Sequence, residues 1–251
     1  CEIVGTDATH ARRLVDDELA RGTDALVVVG GDGIISVALQ ALALGDVPPL
    51  GIIPAGTGND HAREFHIPPT GDPEAAADVV ADGKTQTVDL GRIVDATGAV
   101  TWFGTVMAAG FDSLVSDRTN RMSWPHGRMR YNVAMVAELS RLRLLPFRLT
   151  FDDGPEVVTE LTLAAFGNTR SYGGGMLICP GADPTDGLLD ITMVHSASRT
   201  KLIRLFPPTV FKGTHVNLPP EVTTKRAAAV VVDSPPASTP MPMATSPVHF
   251  R

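Results

Sequence analysis

Two stretches set the fold: Ala25-Leu26-Val27-Val28-Val29-Gly30-Gly31-Asp32-Gly33, and Leu50-Gly51-Ile52-Ile53-Pro54-Ala55-Gly56-Thr57-Gly58-Asn59-Asp60. The apolar runs Leu26–Val29 and Leu50–Ile53 each stop in a glycine-rich turn that carries a carboxylate. Short continuous Val/Ile/Leu runs suit strands buried on both faces of a parallel sheet. Ligands of an open α/β sheet sit at the carboxyl ends of its strands, where both turns fall. Gly30, Gly31 and Gly33 are expected to bring backbone close to a ligand and to take positive φ. Backbone N–H groups of such a turn, followed by a helix start, form a cradle for an anion. Asp32 adds negative charge in the middle of that cradle, which makes sense if a divalent cation or a proton transfer belongs to the chemistry. A turn-closing aspartate bonded to its own backbone is the plain alternative.

Working outward, Glu2–Val4 reads as a short strand and residues 7–20 as a helix, with Ala8, Ala11, Leu14, Val15 and Leu19 on one face and Gly22 as its stop. Ile35, Leu39 and Leu42 continue a helical spacing after Asp32. Asn59 and Asp60 can cap a short helix to Phe65, and Asp72-Pro73-Glu74 opens another to about Ala81. Strand, helix and strand in alternation is the mark of a parallel α/β unit. From residue 85 the period changes to two, with a turn at Asp95–Gly98 and strand-like runs to Met107 and at 147–151, 157–166, 189–194 and 228–232. The expected architecture is an α/β domain over residues 1–92, a mostly-β sandwich domain over 93–232, and a disordered Pro-rich tail over 233–251.

Hydrophobic residues make up 43% and charged residues 20% of the 251, the balance of an ordinary globular chain. A net charge of −7 argues against a general nucleic-acid binder. Cys1 and Cys179 have no ligand spacing and suit a reducing cytosol. No apolar run reaches the ~18 residues a membrane-spanning helix needs, and no signal peptide is visible. Seven histidines show no metal spacing; His61, beside the second turn, fits a helix surface or the neighbourhood of a ligand. Residues 118–148 carry seven arginines against Glu138, interleaved with Met122, Trp124, Met129, Tyr131 and Met135. That segment suits a solvated helix face whose side-chain stems cover apolar surface, with an anionic bilayer surface as the alternative.

Gly30-Gly31-Asp32-Gly33 followed by Ile53-Pro54-Ala55-Gly56-Thr57-Gly58-Asn59-Asp60 resembles the diacylglycerol kinase catalytic domain, shared with sphingosine kinases and bacterial lipid kinases. The resemblance covers residues 2–232 and is strongest to the actinobacterial members. Similar Gly-Gly-Asp-Gly loops occur in NAD kinases and phosphofructokinases, so the pair of motifs is what carries it. The resemblance implies an ATP- and Mg²⁺-dependent lipid kinase, with a nucleotide-binding N-terminal domain and a lipid-substrate C-terminal one. Its substrate would be diacylglycerol or a similar lipid, met at the cytoplasmic face of the membrane. Asp32 would be the central acid, either holding Mg²⁺ through water or accepting the hydroxyl proton. Gly30, Gly31, Gly33, Gly56, Thr57, Gly58 and Asn59 would surround the nucleotide phosphates. Asp60 and Asp89 would join Asp32 in an acidic Mg²⁺ network, and Asp186 would hold a second, structural Mg²⁺. Asp186 also fits a tight Asp-Gly turn. The loop Asn168–Gly175 resembles the substrate-side loop and is given no catalytic role.

The departures are as specific. No Asn-Pro, Gly-rich loop precedes the first helix, and the chain begins with Cys1. Ile34, Ser36 and Val37 stand where the family usually has Thr and often Asn-Glu. Asp233-Ser234-Pro235-Pro236 stands in place of a terminal Asp-Gly-acid motif. Both ends are therefore read as incomplete. Two other functions stay open, a NAD-kinase-like small-molecule kinase and an inactive nucleotide- or lipid-binding module. A homodimer is compatible with the sequence.

Overall fold

The computed structural model describes residues 2–43, 47–69, 71–110, 144–195, 208–233 and 248–250. Strands β1 (Leu26–Gly30) and β2 (Leu50–Pro54) pair in parallel, Leu26 opposite Leu50 through Gly30 opposite Pro54. Equal register brings both glycine turns to the same edge of the sheet. Helix α1 (Ala8–Ala20) starts where Asp7 Oδ1 accepts the His10 N–H at 2.9 Å, and it ends before Gly22, whose φ is +87°. Gly31 alone separates β1 from helix α2 (Asp32–Leu42), α3 (Asp60–Glu64) follows the second turn, and α4 (Pro73–Ala81) packs on β2. Ile35, Ala38, Leu39 and Leu42 of α2 close on Val15, Leu26, Val28, Ile52 and Ala62 in one apolar core.

The two-faced burial expected of β1 does not hold. Leu26 and Val28 are buried, but Val27 is 42% and Val29 66% exposed, because the core lies on one face and α4 reaches only as far as Gly51 on the other. Residues 2–5 form no strand.

The second half is a sandwich of antiparallel sheets. One sheet runs β4 (Val100–Phe103), β3 (Gly91–Val94), β12 (Val248–Phe250), β11 (Val230–Asp233), β6 (Leu145–Phe151), β7 (Glu156–Leu161). The other runs β10 (Val222–Ala227), β9 (Leu189–Val194), β8 (Leu163–Gly167), β5 (Val106–Gly110). Phe147, Leu149, Phe151, Leu161, Phe166, Ile191 and Val230 fill the space between them. A second cluster, with Ala165, Ile178, Cys179, Val210 and Val222, covers the outer face of β8 and β9. That is why β8 is buried at every position while β7, at a sheet edge, is mostly exposed.

Three sequence expectations change here. The run 157–166 is two strands, because the chain crosses between sheets at Thr162, whose N–H donates to Val194 O at 2.8 Å. Of residues 85–93, only those from Gly91 join a ladder. Val248–Phe250 is a strand, not disordered tail: it fills the slot between β11 and β3 and makes their sheet continuous. Residues 234–247 and 111–143, which hold most of the arginine-rich segment, lie outside the described residues. The turn at Asp95 forms as expected, with Oδ1 accepting from Thr97 N and Ala99 N.

Candidate active site

The two glycine turns touch. A Cβ on Gly31 would stand 2.9 Å from Gly56 Cα, and one on Gly56 would stand 2.4 Å from Gly31 Cα and 2.8 Å from Asn59 Oδ1. Ala55 N–H donates to Gly30 O at 2.9 Å, continuing the strand pairing into the turns. Asn59 adopts the left-handed conformation (φ 53°, ψ 45°) and locks its own turn: Oδ1 accepts from Gly56 N at 3.0 Å while Nδ2 donates to Gly56 O at 2.8 Å.

Positive φ, expected at Gly30, Gly31 and Gly33, is found at none of them; Gly31 has φ −103°. The first turn is tight because two backbones meet, so glycine is needed there for its missing side chain. Gly33 lies inside α2, where an added methyl group would meet nothing within 4 Å, and Thr57 is exposed. Gly56→Ala should therefore cost about 1–3 kcal/mol of stability by overpacking against backbone. Gly33→Ala should be neutral or gain about 0.5–1 kcal/mol of helix stability. Urea unfolding of the two variants checks the contrast.

Asp32 opens α2 with its side chain turned toward the second motif. Its Oδ1 accepts the His61 N–H at 3.1 Å and faces His61 Nδ1 at 3.0 Å. Its Oδ2 lies 2.8 Å from a Cβ position on Gly58, with Asp60 Oδ2 3.5 Å from the same point. Partial burial works to raise the Asp32 pKa, but hydrogen bonds from the His61 ring, His61 N–H and Asp60 N–H outweigh it and bring the carboxyl down to about 2. The group is an anion throughout the neutral range.

Asp60 has a role the sequence reading missed. It is 4% exposed, and its Oδ1 accepts from Ser171 Oγ at 3.2 Å and Gly175 N at 2.8 Å, with Arg63 also paired to it. Its Oδ2 accepts from Gly174 N at 2.7 Å. One turn on, Glu64 takes Arg170 N at 3.1 Å and Arg170 Nε at 2.9 Å. Helix α3 thus grips the 170–175 loop of the sandwich domain with two carboxylates. Gly173, Gly174 and Gly175 all have left-handed φ (61°, 88° and 104°), the conformation that turns two consecutive N–H groups onto Asp60. Gln40 of α2 makes a second joint, donating to Trp102 O and accepting from Trp102 N.

Asp89 meets the loop that carries Asp186. Asp89 N donates to Pro184 O and Asp89 Oδ2 accepts from Gly187 N, both at 2.7 Å. Asp186 pairs with Arg226, which also reaches Asp190 at 3.0 Å. Asp32 and Asp60 converge beside Gly58, and Asp89 is bonded to the 184–187 loop through its backbone and its side chain. Among the described residues no three His, Cys, Asp or Glu side chains are grouped to hold a metal ion. A cavity of about 680 Å³ lined by Arg12, Gln40, Arg92 and Trp102 runs along α2 and includes no residue of either motif.

Residues 1–93 match the family described as the diacylglycerol kinase catalytic domain. Residues 105–246 match the YegS C-terminal NAD kinase beta sandwich-like domain. A protein of Mycobacterium tuberculosis (strain H37Rv) named "Diacylglycerol kinase" is 67% identical over 93% of this chain and 74% of its own length. The chain belongs to the diacylglycerol kinase family. More distantly, the Stenotrophomonas maltophilia protein "Probable lipid kinase YegS-like" is 34% identical, over 73% of this chain and 60% of that protein. The same two-domain family fold occurs in a crystal structure of a diacylglycerol kinase from Bacillus anthracis, with a TM-score of 0.68 at 20% identity over 99% of this chain and 79% of that one. No helix of the described residues is long and apolar enough to cross a membrane.

His61 is the site residue that sequence reasoning undervalued. It is neither on a helix surface nor spare: it is 6% exposed and hydrogen-bonded to the central aspartate.

Proposed function

We propose that the chain is a lipid kinase domain that moves the γ-phosphoryl group of ATP onto a hydroxyl of diacylglycerol or a similar lipid. The observation that carries this reading is the meeting of two glycine turns at one sheet edge, with an ionised Asp32 between them. The 67% identity to a protein named diacylglycerol kinase supports the lipid over NAD as acceptor.

In the reaction the lipid hydroxyl oxygen bonds to the γ-phosphorus, the bond to the bridging oxygen breaks, and ADP leaves. Phosphoryl transfer depends on positioning and charge neutralisation more than on covalent chemistry. Gly30, Gly31, Gly33, Gly56, Thr57, Gly58 and Asn59 form the surface on which the phosphates would rest. Mg²⁺ keeps several waters and takes one or two carboxylates, so an ionised Asp32 with Oδ2 toward the second turn fits it without a protein cage. Bound there, the ion would neutralise phosphate charge. Asp60, with four donors already on its carboxylate, would act on that ion through water. An ion at Asp186 would have to displace Arg226. Asp32 at about 2 is a weak base, and a loose transition state needs little more, because the hydroxyl proton leaves late. The lipid would be reached at the inner membrane face, with the arginine-rich segment 118–148 against anionic headgroups.

Transfer of labelled γ-phosphate from Mg-ATP to a panel of hydroxyl lipids in mixed micelles, with NAD as a competing acceptor, tests the reading. Label is expected in a diacylglycerol-like lipid. Label in NAD alone would replace lipid as the acceptor, and ATP binding without transfer to anything would make the chain a binding module.

A further inference from the structure

We infer that His61 is a positioning residue that fixes the rotation of the Asp32 carboxylate, so that Oδ1 is tied down and Oδ2 alone faces the Gly56–Asn59 turn. The inference deepens the kinase reading and rests on it for its kinetic consequences, though not for the geometry.

Both His61 donors act on one oxygen: its N–H at 3.1 Å and its ring at 3.0 Å from Asp32 Oδ1. An ionised carboxylate only accepts, so Nδ1 must carry a proton. That leaves Nε2 at the far end of the ring, buried and without a hydrogen-bond partner among the described residues. A buried polar atom left unsatisfied has a cost, and the compensating gain is at the other end of the ring. The ring is also wedged. A Cβ on Gly104 would stand 2.6 Å from His61 Nε2 and 2.8 Å from Leu39 Cδ1, so this glycine of the sandwich domain shapes the slot that holds the imidazole. Rotation of Asp32 about its terminal torsion is broad in a free side chain. With Oδ1 held by the two His61 donors, beside the Asp60 N–H that also reaches this carboxylate, Oδ2 is the oxygen presented to the second motif, 2.8 Å from the Gly58 Cβ position.

The donor can be moved along the ring by substitution. Asn places an amide nitrogen near the Nδ1 position, whereas Phe keeps the ring volume and removes the donor. His61→Phe is expected to lower kcat about tenfold with little change in the KM for ATP, as for an interaction used in the transition state. His61→Asn should recover most of that loss. Gly104→Ala, which displaces the ring without removing its donor, should reproduce the Phe effect. Equal activity of the Phe and Asn variants would overturn the inference. The decisive readout needs no turnover: long-range ¹H–¹⁵N spectra of the whole chain, labelled at histidine, report which ring nitrogen of His61 is protonated. A proton on Nδ1 supports the inference, and a bare Nδ1 overturns it. A wild-type chain that shows the Nδ1 proton but phosphorylates no lipid would remove the kinase reading and leave the positioning of Asp32 intact.

Discussion

Asp32→Asn should lower phosphoryl transfer by about a hundred- to ten-thousandfold, the range for loss of one acid–base or charge-stabilising group, with the fold retained. The substitution is close to isosteric. An asparagine Oδ1 still accepts from His61 N and the His61 ring, so the bonds that anchor α2 to α3 survive and what disappears is the charge. Steady-state assay with the lipid that accepts label, alongside urea unfolding, separates the two effects. A variant that retains more than about a tenth of the wild-type rate would show that Asp32 is not central. The pH dependence follows from the sign of its shift. The folded pKa of about 2 lies below the ordinary 3.8, so the stability contributed by ionised Asp32 is complete above 3.8 and is lost as pH falls through about 2. Any stability difference between wild type and Asp32→Asn should therefore be constant from neutrality to about pH 4 and shrink below it. An acid limb of kcat near pH 6 belongs to another group.

The parts of this site written in local pattern were legible in the chain. Leu26–Val29 and Leu50–Ile53 end in glycine turns, parallel pairing puts both at one edge, and Asp32 and Asn59 lie where those turns become helices. What stayed hidden depends on residues far apart in sequence. Asp60 reads as a helix cap or metal ligand until the 170–175 loop folds over it. His61 looks spare because nothing local shows that Gly104 leaves a slot for its ring. Asp89 is bonded to residues 184 and 187, a pairing that no spacing announces. Strand β10 escaped notice because only its ends, Val222 and Ala227, are buried; its middle is polar and exposed, as an edge strand allows. A cue was available for the clasp. Asp60 and Glu64 are four apart on one helix face, and three consecutive glycines demand some reason for the chain to turn left-handed three times.

Asp60→Ala should destabilise the chain by about 2–4 kcal/mol, the range for removing a buried acceptor from one buried and two half-buried donors at once. Gly174 N, Gly175 N and Ser171 Oγ lose their shared acceptor. Asp60→Asn does not rescue the site, because one arm of the amide would point N–H groups at a backbone N–H. Arg63→Ala should cost no more than about 1 kcal/mol, since that side chain is 42% exposed and its charge is screened by solvent. Denaturant unfolding of the three variants gives the ranking. Amide exchange at Gly174 and Gly175 tests the cause, since both N–H groups should lose protection in Asp60→Ala, one of them in Asp60→Asn, and neither in Arg63→Ala. A loss below about 1 kcal/mol with both amides still protected would mean the loop is held by other contacts. The two aspartates are then separable by experiment. Asp32→Asn removes turnover from a chain that still folds, whereas Asp60→Ala loosens the joint between α3 and the sandwich. Turnover would fall there because the second motif no longer stands at a fixed distance from the 170–175 loop and because the Asp60 charge is lost.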